Sequence, residues 1–152
     1  MSEDLKRPLK VRSVAFSDGG SIPLRYTCEG ENVNPPLEVS GLPEHTKSLA
    51  LIVEDPDAPR GTFDHWIEWN ISPNEGISEN STPGIQGKNS FGKPGYGGPC
   101  PPSGSHRYIF KVYALDNELN IPAGSDKKML QQAIEGHILA SGELLGRYQK
   151  RN

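Results

Sequence analysis

The sequence predicts an all-β fold, mainly an antiparallel β-sandwich with Greek-key-like connections and one or two short helices. Three observations predict it: short apolar runs alternate with turns, Gly (17) and Pro (14) together exceed a fifth of the 152 residues, and only one window has a helical pattern. Proline breaks helix interiors, so a helical bundle could not hold this many. Without helices between the strands, a parallel α/β sheet is also disfavoured. We expect residues 1–152 to form one domain.

The first part of the chain predicts short strands and then one dominant strand. Residues 11–16 and 22–27 are expected as strands around an Asp-Gly-Gly turn, and residues 37–39 as a brief strand after two prolines. Residues 48–54 give the strongest signal, because their continuous apolar run is typical of a strand covered on both faces. That run ends at the turn Asp-Pro-Asp-Ala-Pro, which two prolines make rigid.

From residue 64 the apolar pattern has a period of two. It places one set of side chains on one face of a strand and a second set on the other. The first set is His65, Ile67, Trp69 and Ile71, and the second is Trp66, Glu68 and Asn70. Residues 72–106 follow as a Gly/Pro/Ser-rich loop of a length that is usually functional or disordered.

Residues 107–115 predict another strong strand, with His106 and Tyr108 on the face that also carries Phe110, Val112 and Ala114. The helical window covers residues 125–135, with Ser125 expected as N-cap and Gly136 as C-cap. Its apolar stripe comprises Met129, Leu130, Ala133 and Ile134. Residues 137–145 are expected to return as a last strand.

Composition excludes several classes of function. A formal net charge of -3 gives no footprint for nucleic acid, and no apolar stretch approaches the length that spans a bilayer. The polar start Met1-Ser2-Glu3-Asp4 lacks a secretory signal, so we expect a cytoplasmic protein. The two cysteines, Cys28 and Cys100, cannot form a Cys-only metal site. A free buried pair is the favoured expectation, and a single disulfide is the alternative.

Three features at predicted strand ends could carry chemistry. Asp55 and Asp57 follow the buried strand, His65 begins the alternating strand, and His106 and Tyr108 share a face beside a Gly/Pro-rich loop. Taken alone, the two aspartates are better explained as a solvated turn, and His65 is as well explained as a core-edge histidine. The third feature is also consistent with a merely irregular loop. Together they predict a shallow pocket for a phosphate, phosphonate, sulfate or carboxylate, with donors from imidazole, phenol and backbone N–H. Asp55 would accept from a histidine N–H, fix its tautomer and stabilise the protonated ring.

The chain resembles the phosphatidylethanolamine-binding protein family, which includes the Raf kinase inhibitor proteins, and specifically its shorter prokaryotic-type branch. The resemblance is carried by Tyr-Thr-Cys-Glu-Gly at 26–30, Asn-Pro-Pro-Leu at 34–37, Asp-Pro-Asp-Ala-Pro at 55–59, Tyr-Gly-Gly-Pro-Cys-Pro-Pro at 96–102 and Gly-Ser-His-Arg-Tyr at 104–108. It implies a sandwich with an anion pocket at one end. The implied pocket residues are Asp55, Asp57, His65, Gly98, Pro101, Pro102, His106 and Tyr108, with Phe63 or Trp66 as an aromatic wall.

The resemblance implies a non-enzymatic binder of phosphate-type anions or phospholipid head groups, without cofactor or metal, and with homodimerisation open. A protein inhibitor of serine proteases or kinases is the alternative, with residues 72–95 as the contact loop. A hydrolase using Asp55 and a histidine is weaker, because no nucleophile is clearly placed: Ser105 is expected on the opposite face of the strand from His106, and Cys100 is the more credible candidate. A zinc site at Asp55, His65 and His106 is weaker still, because these ligands lack close spacing.

Overall fold

The computed structural model describes residues 8–151, and they form a mainly β structure with one α-helix. The strands, in chain order, are β1 (Lys10–Arg12), β2 (Gly20–Ser21), β3 (Glu38–Ser40), β4 (Ser48–Asp55), β5 (Phe63–Ile71), β6 (Ile85–Gln86), β7 (Ser105–Leu115) and β8 (Ile138–Gln149). A 3₁₀ helix lies at Leu24–Tyr26, and α1 covers Lys127–Ile134. The predicted fold class is confirmed.

Six strands form one mixed sheet in the order β2-β8-β7-β4-β5-β6, and β1 and β3 form a second, two-stranded sheet. The long central pairs β4/β5, β4/β7 and β7/β8 are antiparallel, as predicted, whereas the short pair β2/β8 is parallel. Within the long loop after β5, only β6 joins this sheet as a strand. Loop residues Phe91, Cys100, Pro101 and Pro102 lie near the end of the sheet where β4 stops.

The large sheet is covered on both faces, as the apolar run in β4 predicts. Leu49, Leu51 and Val53 belong to a core cluster shared with β1 and the long loops, while Ala50 and Ile52 pack on the opposite side. Helix α1 closes this second side with Leu130 and Ile134. The predicted face of β7 is confirmed, because Tyr108, Phe110, Val112 and Ala114 all lie in the first cluster.

The prediction that His65, Ile67, Trp69 and Ile71 share one face of β5 is wrong, because the pairing of β5 with β4 contains two register shifts. Val53 pairs with Trp66 and Glu54 with Asp64, which leaves His65 as an extra residue opposite β4. A bulge of this kind redirects a side chain. His65 therefore lies against Tyr108, with ring centroids 5.2 Å apart, rather than beside Ile67 and Trp69. Near the end of β5, Ile71 also lies on the opposite face from the one predicted, in the same core cluster as Trp66.

Two local predictions also need correction. Residues 22–27 form no strand, because Pro23 precedes the 3₁₀ helix and only Gly20–Ser21 pairs with β8. The N-cap of α1 is Asp126, whose carboxylate accepts from the Met129 N–H, while Ser125 is used in the preceding turn. Met129 is 42% exposed and lies outside the apolar stripe. The C-cap of α1 is Glu135 rather than the predicted Gly136, which comes one residue later with φ of 82°.

The expectation of a free cysteine pair is wrong, because Cys28 and Cys100 form a disulfide with Cα atoms 5.4 Å apart. The bond fastens the loop after the 3₁₀ helix to the Pro-rich segment before β7. A backbone hydrogen bond from the Cys28 N–H to the Pro99 carbonyl (3.1 Å) supports the same junction. The sequence could not settle this pairing, since 72 residues separate the two cysteines.

Candidate functional site

A cavity of about 180 Å³ opens where β4 and β5 meet the start of β7. Polar groups from Asp55, His65 and His106 line it, and the rest of the lining is apolar or disulfide-bonded. The other lining residues are Ala58, Pro59, Phe63, Phe91, Cys100, Pro101 and Pro102. Three residues that the chain separates by up to 51 positions therefore meet in one hollow.

The His106–Asp55 pair forms one wall of this cavity. The Nδ1 atom of His106 lies 2.6 Å from Oδ2 of Asp55, and their side chains are only 10% and 4% exposed. A carboxylate accepts from the imidazole N–H, so Nδ1 carries a proton and Nε2 is the ring nitrogen left for a ligand. The second oxygen of Asp55 accepts from the Asp57 N–H at 2.7 Å, which holds the carboxylate in place.

Asp57 and Arg107 stabilise the turn behind this pair. The Asp57 carboxylate accepts from the backbone N–H of Arg107 (2.9 Å) and from its guanidinium at Nε (3.0 Å) and Nη2 (2.8 Å). These hydrogen bonds lower the pKa of Asp57 to about 2. Asp57 therefore ties the turn after β4 to the start of β7, and it does not line the cavity.

His65 forms the opposite wall and is held by the long loop. Its Nδ1 lies 2.7 Å from the Gly97 carbonyl oxygen, and the Gly97 N–H donates back to the His65 carbonyl at 2.8 Å. Burial lowers the pKa of His65, since the nearby carbonyl groups and Asp55 offset the desolvation only in part. The ring is therefore neutral near pH 7 and donates from Nδ1.

Aromatic rings and prolines enclose the space between the two histidines. The Phe63 ring lies 5.0 Å from His65 and 4.7 Å from Phe91, while Phe91 lies 5.5 Å from His65. Phe91 is 43% exposed and therefore sits at the mouth. On the other side, the Lys150 ammonium donates to the carbonyl of Pro102 at 3.2 Å and brings a positive charge to the rim.

Tyr108 lies beside both histidines. Its ring meets His65 edge-on at 5.2 Å and stacks on His106 at 6.5 Å. The residue is 1% exposed, and burial raises the pKa of its hydroxyl well above the ordinary value. Within residues 8–151 this hydroxyl makes no hydrogen bond of normal geometry. It is an unsatisfied donor next to the cavity.

Besides Asp57, two further predicted pocket residues, Trp66 and Gly98, do not line the cavity. Trp66 is fully buried in the core, where its indole N–H donates to Glu68 and its ring packs against Tyr96. The N–H of Gly98 donates to the Asn32 side chain at 2.8 Å, so it is not free for a ligand. A Cβ on Gly98 would lie 2.2 Å from the Tyr26 carbonyl oxygen, which explains why this position needs glycine.

Several wall residues were missed by sequence reasoning. Ala58, Pro59 and Cys100 adjoin predicted site residues, so proximity along the chain could have suggested them. Phe91 gave no such signal, because it lies within the irregular loop. Its position depends on Asn89, whose buried side chain accepts from the N–H groups of Phe91 and Lys93 and donates to the Gly95 carbonyl.

A nucleophile and a metal ion were the other two possibilities for this part of the chain. Cys100 is oxidised, and the lining contains no serine, threonine or free thiol that could act as a nucleophile. In the described part of the chain no group of three His, Cys, Asp or Glu side chains is arranged to hold a metal ion. Among residues 8–151 there is also no helix with the length and apolarity needed to cross a membrane.

Fold and cavity together define, over residues 8–151, a β-sandwich with a small histidine-lined pocket beside a disulfide-anchored loop. The chain belongs to the phosphatidylethanolamine-binding protein family, whose sequence model matches residues 12–149. A UPF0098 protein of Pyrococcus horikoshii is 51% identical over 96% of this chain and 79% of its own length.

Two solved structures have the same fold. A phosphatidylethanolamine-binding protein homologue from Chlamydia trachomatis superposes with a TM-score of 0.91 at 44% identity, covering 95% of this chain and 99% of that one. YbcL of E. coli, described as a member of the mammalian family, gives a TM-score of 0.84 at 33% identity over 95% and 100% of the two chains. The resemblance inferred from the motifs is thereby confirmed.

Proposed function

We propose that this protein binds phosphate-type anions, free or as a phospholipid head group, in the cavity between His65 and His106, and that it does so without catalysing a reaction. The observation that carries the proposal is the hydrogen bond from His106 to Asp55. A buried carboxylate compensates the charge of a protonated imidazole, so that Nε2–H can donate to an anion within an apolar hollow.

The form of the cavity supports a binding role. Its walls of proline and phenylalanine exclude water, which strengthens each hydrogen bond made inside. The volume of about 180 Å³ suits a group of phosphate size with a short substituent. With no nucleophilic side chain in the lining, covalent catalysis has no starting point here.

Isothermal titration calorimetry with inorganic phosphate and phosphoethanolamine tests the proposal. We expect His106→Ala and His65→Ala to remain folded and to lose most of their affinity. The control is His137→Ala, which removes a histidine that also pairs with an aspartate (Asp116, 2.8 Å) but is exposed and outside the cavity. Equal binding by wild type and both pocket variants would refute the pocket assignment.

A second candidate, inhibition of a protease through the long loop, is favoured by one observation. Asn89 organises residues 89–95 into a turn that presents the exposed ring of Phe91. A rigid exposed loop resists cleavage, which is what a substrate-mimicking inhibitor needs. When the protein is incubated with chymotrypsin, the loop should then stay intact and the activity of the protease should fall. Rapid cleavage after Phe91 would count against inhibition.

The cytoplasmic location and a homodimer remain predictions. The disulfide weighs against the cytoplasmic location, because disulfides persist mainly in oxidising compartments. Mass spectrometry of alkylated protein taken directly from cells would show whether Cys28 and Cys100 are paired in vivo. Size-exclusion chromatography with light scattering would determine the oligomeric state.

A further inference from the structure

The Cys28–Cys100 disulfide lies at the surface of the protein, away from its apolar core. Both cysteines are exposed residues, and neither belongs to the two core clusters that cover the faces of the large sheet. Access to the sulfur atoms is one of the factors that set the rate of thiol–disulfide exchange, and exposed disulfides are more labile than buried ones. The bond is therefore positioned for exchange with a thiol in solution while the core stays folded.

The same disulfide anchors one wall of the cavity. Cys100 lines the cavity together with Pro101 and Pro102, which follow it in the chain. These prolines belong to a segment without helix or strand that leads to the start of β7. The disulfide fixes this segment at one end, and the Lys150 N–H donates to the Gly104 carbonyl (3.0 Å) at the other. Opening the bond removes the first of these two anchors.

Hydrogen bonds join the same two loops independently of the sulfur atoms. The Cys28 N–H donates to the Pro99 carbonyl at 3.1 Å, and the Tyr96 hydroxyl donates to the Tyr26 carbonyl at 2.5 Å. Both contacts lie on the side of Cys100 that leads away from the cavity prolines. We therefore expect reduction to loosen the proline wall while the junction behind it, and with it the fold, persists.

We propose that the Cys28–Cys100 disulfide is a redox site that a dithiol reductant opens in the folded protein, and that its opening lowers the affinity of the cavity for an anion. A thiolate of the reductant attacks one sulfur, the S–S bond breaks, and the other cysteine leaves as a thiolate that takes up a proton. The second thiol of the reductant then resolves the mixed disulfide. Two electrons and two protons pass from the dithiol to the cysteine pair, and the reductant becomes a disulfide. This regulation rests on the proposed anion site.

The redox state of the disulfide and the occupancy of the cavity are linked equilibria. If reduction weakens anion binding by some factor, the bound anion makes the disulfide harder to reduce by the same factor. We expect reduction to weaken the binding of inorganic phosphate about 10-fold, because the proline wall loses an anchor. For a two-electron couple, a 10-fold difference corresponds to about 30 mV. The reduction potential of the disulfide should therefore be about 30 mV more negative in saturating phosphate.

Redox titration of the native protein against mixtures of reduced and oxidised dithiothreitol tests the proposal. Alkylation and mass spectrometry measure the reduced fraction in inorganic phosphate and in sodium chloride of equal ionic strength, and near-UV circular dichroism reports the tertiary packing. We expect reduction without denaturant, a native dichroism spectrum and the shift of about 30 mV. In His106→Ala, which keeps the disulfide but removes the proposed donor to the anion, the shift should disappear.

The possible results separate this regulation from the anion site itself. A disulfide that dithiothreitol reduces only in denaturant, or a loss of the native dichroism spectrum on reduction, would overturn the proposal. The same shift in His106→Ala would also contradict it, because phosphate would then act outside the cavity. An unshifted potential in a protein that binds phosphate when oxidised, as calorimetry measures, would overturn the regulation and leave the anion site standing. If the oxidised protein binds no phosphate, the proposed function fails and the regulation fails with it.

Discussion

His106 donates from Nδ1 to Asp55 across 2.6 Å, with both side chains at least nine-tenths buried. The two residues lie 51 positions apart, at the end of β4 and the beginning of β7. Their strands are direct neighbours in the sheet, so the pair forms wherever β4 and β7 pair in this register. In the proposed function, this hydrogen bond holds the imidazole that donates to the anion.

Asp55→Asn should weaken phosphate binding about 10- to 100-fold, because the protonated His106 would lose its buried counter-charge. Calorimetric titration measures the change. The matched control is Asp116→Asn, which alters the exposed pair with His137 and should leave the affinity unchanged. Undiminished binding by Asp55→Asn would mean that the carboxylate does not support the ligand.

Folding stability should decrease as the pH falls below about 6.5, the ordinary pKa of histidine. The pKa of His65 is lowered in the folded protein by burial, so the unfolded chain binds the proton more readily, and protonation therefore favours unfolding. Urea unfolding at several pH values, in buffer without phosphate, measures this slope. His65→Gln should flatten it, whereas His45→Asn, at an exposed turn, should not; parallel slopes for wild type and His65→Gln would contradict the account.

Tyr108→Phe should lower the affinity for the anion without lowering the stability of the fold. The hydroxyl has no partner among the described residues, so its removal should leave the free energy of unfolding unchanged or raise it by up to ~1 kcal/mol. If the hydroxyl donates to the bound anion, affinity should fall about 10-fold. Tyr113→Phe, on the opposite side of β7, is the control. A large loss of stability with unchanged affinity would show that Tyr108 has no part in binding.

Loss of the Cys28–Cys100 disulfide should destabilise the protein by about 4 kcal/mol in the chain-entropy view, because the bond closes a long loop. Phosphate affinity should fall as well, since Cys100 is part of the cavity wall. Guanidinium unfolding with and without a reducing agent measures the first effect, and titration of the reduced protein the second. A double Cys28→Ser, Cys100→Ser variant unaffected in both would show that the bond is dispensable.

Much of the fold was predictable because the main strands have unambiguous patterns. The continuous run of β4 and the alternation of β7 each indicate their burial, and the prolines at 56 and 59 mark where β4 must stop. Residues 22–27 were harder, since the alternation is short and Pro23 allows a 3₁₀ turn equally well. There the tertiary environment, not local propensity, decides the conformation.

The site was predictable only in part. Asp55, His65 and His106 were predicted in two ways that agree, from their positions at strand ends and from the family resemblance. The side of the sheet on which His65 lies depends on a bulge, and an extra residue in a strand leaves no trace in a period-two pattern. Phe91 and the disulfide depend on how a long loop folds back, which no local spacing determines.

The most direct test of the central claim is a crystal structure of the protein soaked in phosphate. The account predicts an ordered anion between the Nε2 atoms of His65 and His106, within hydrogen-bond distance of both, and enclosed by Phe63 and Pro101. An empty or water-filled cavity at saturating phosphate, or an anion bound only at surface lysines, would contradict it.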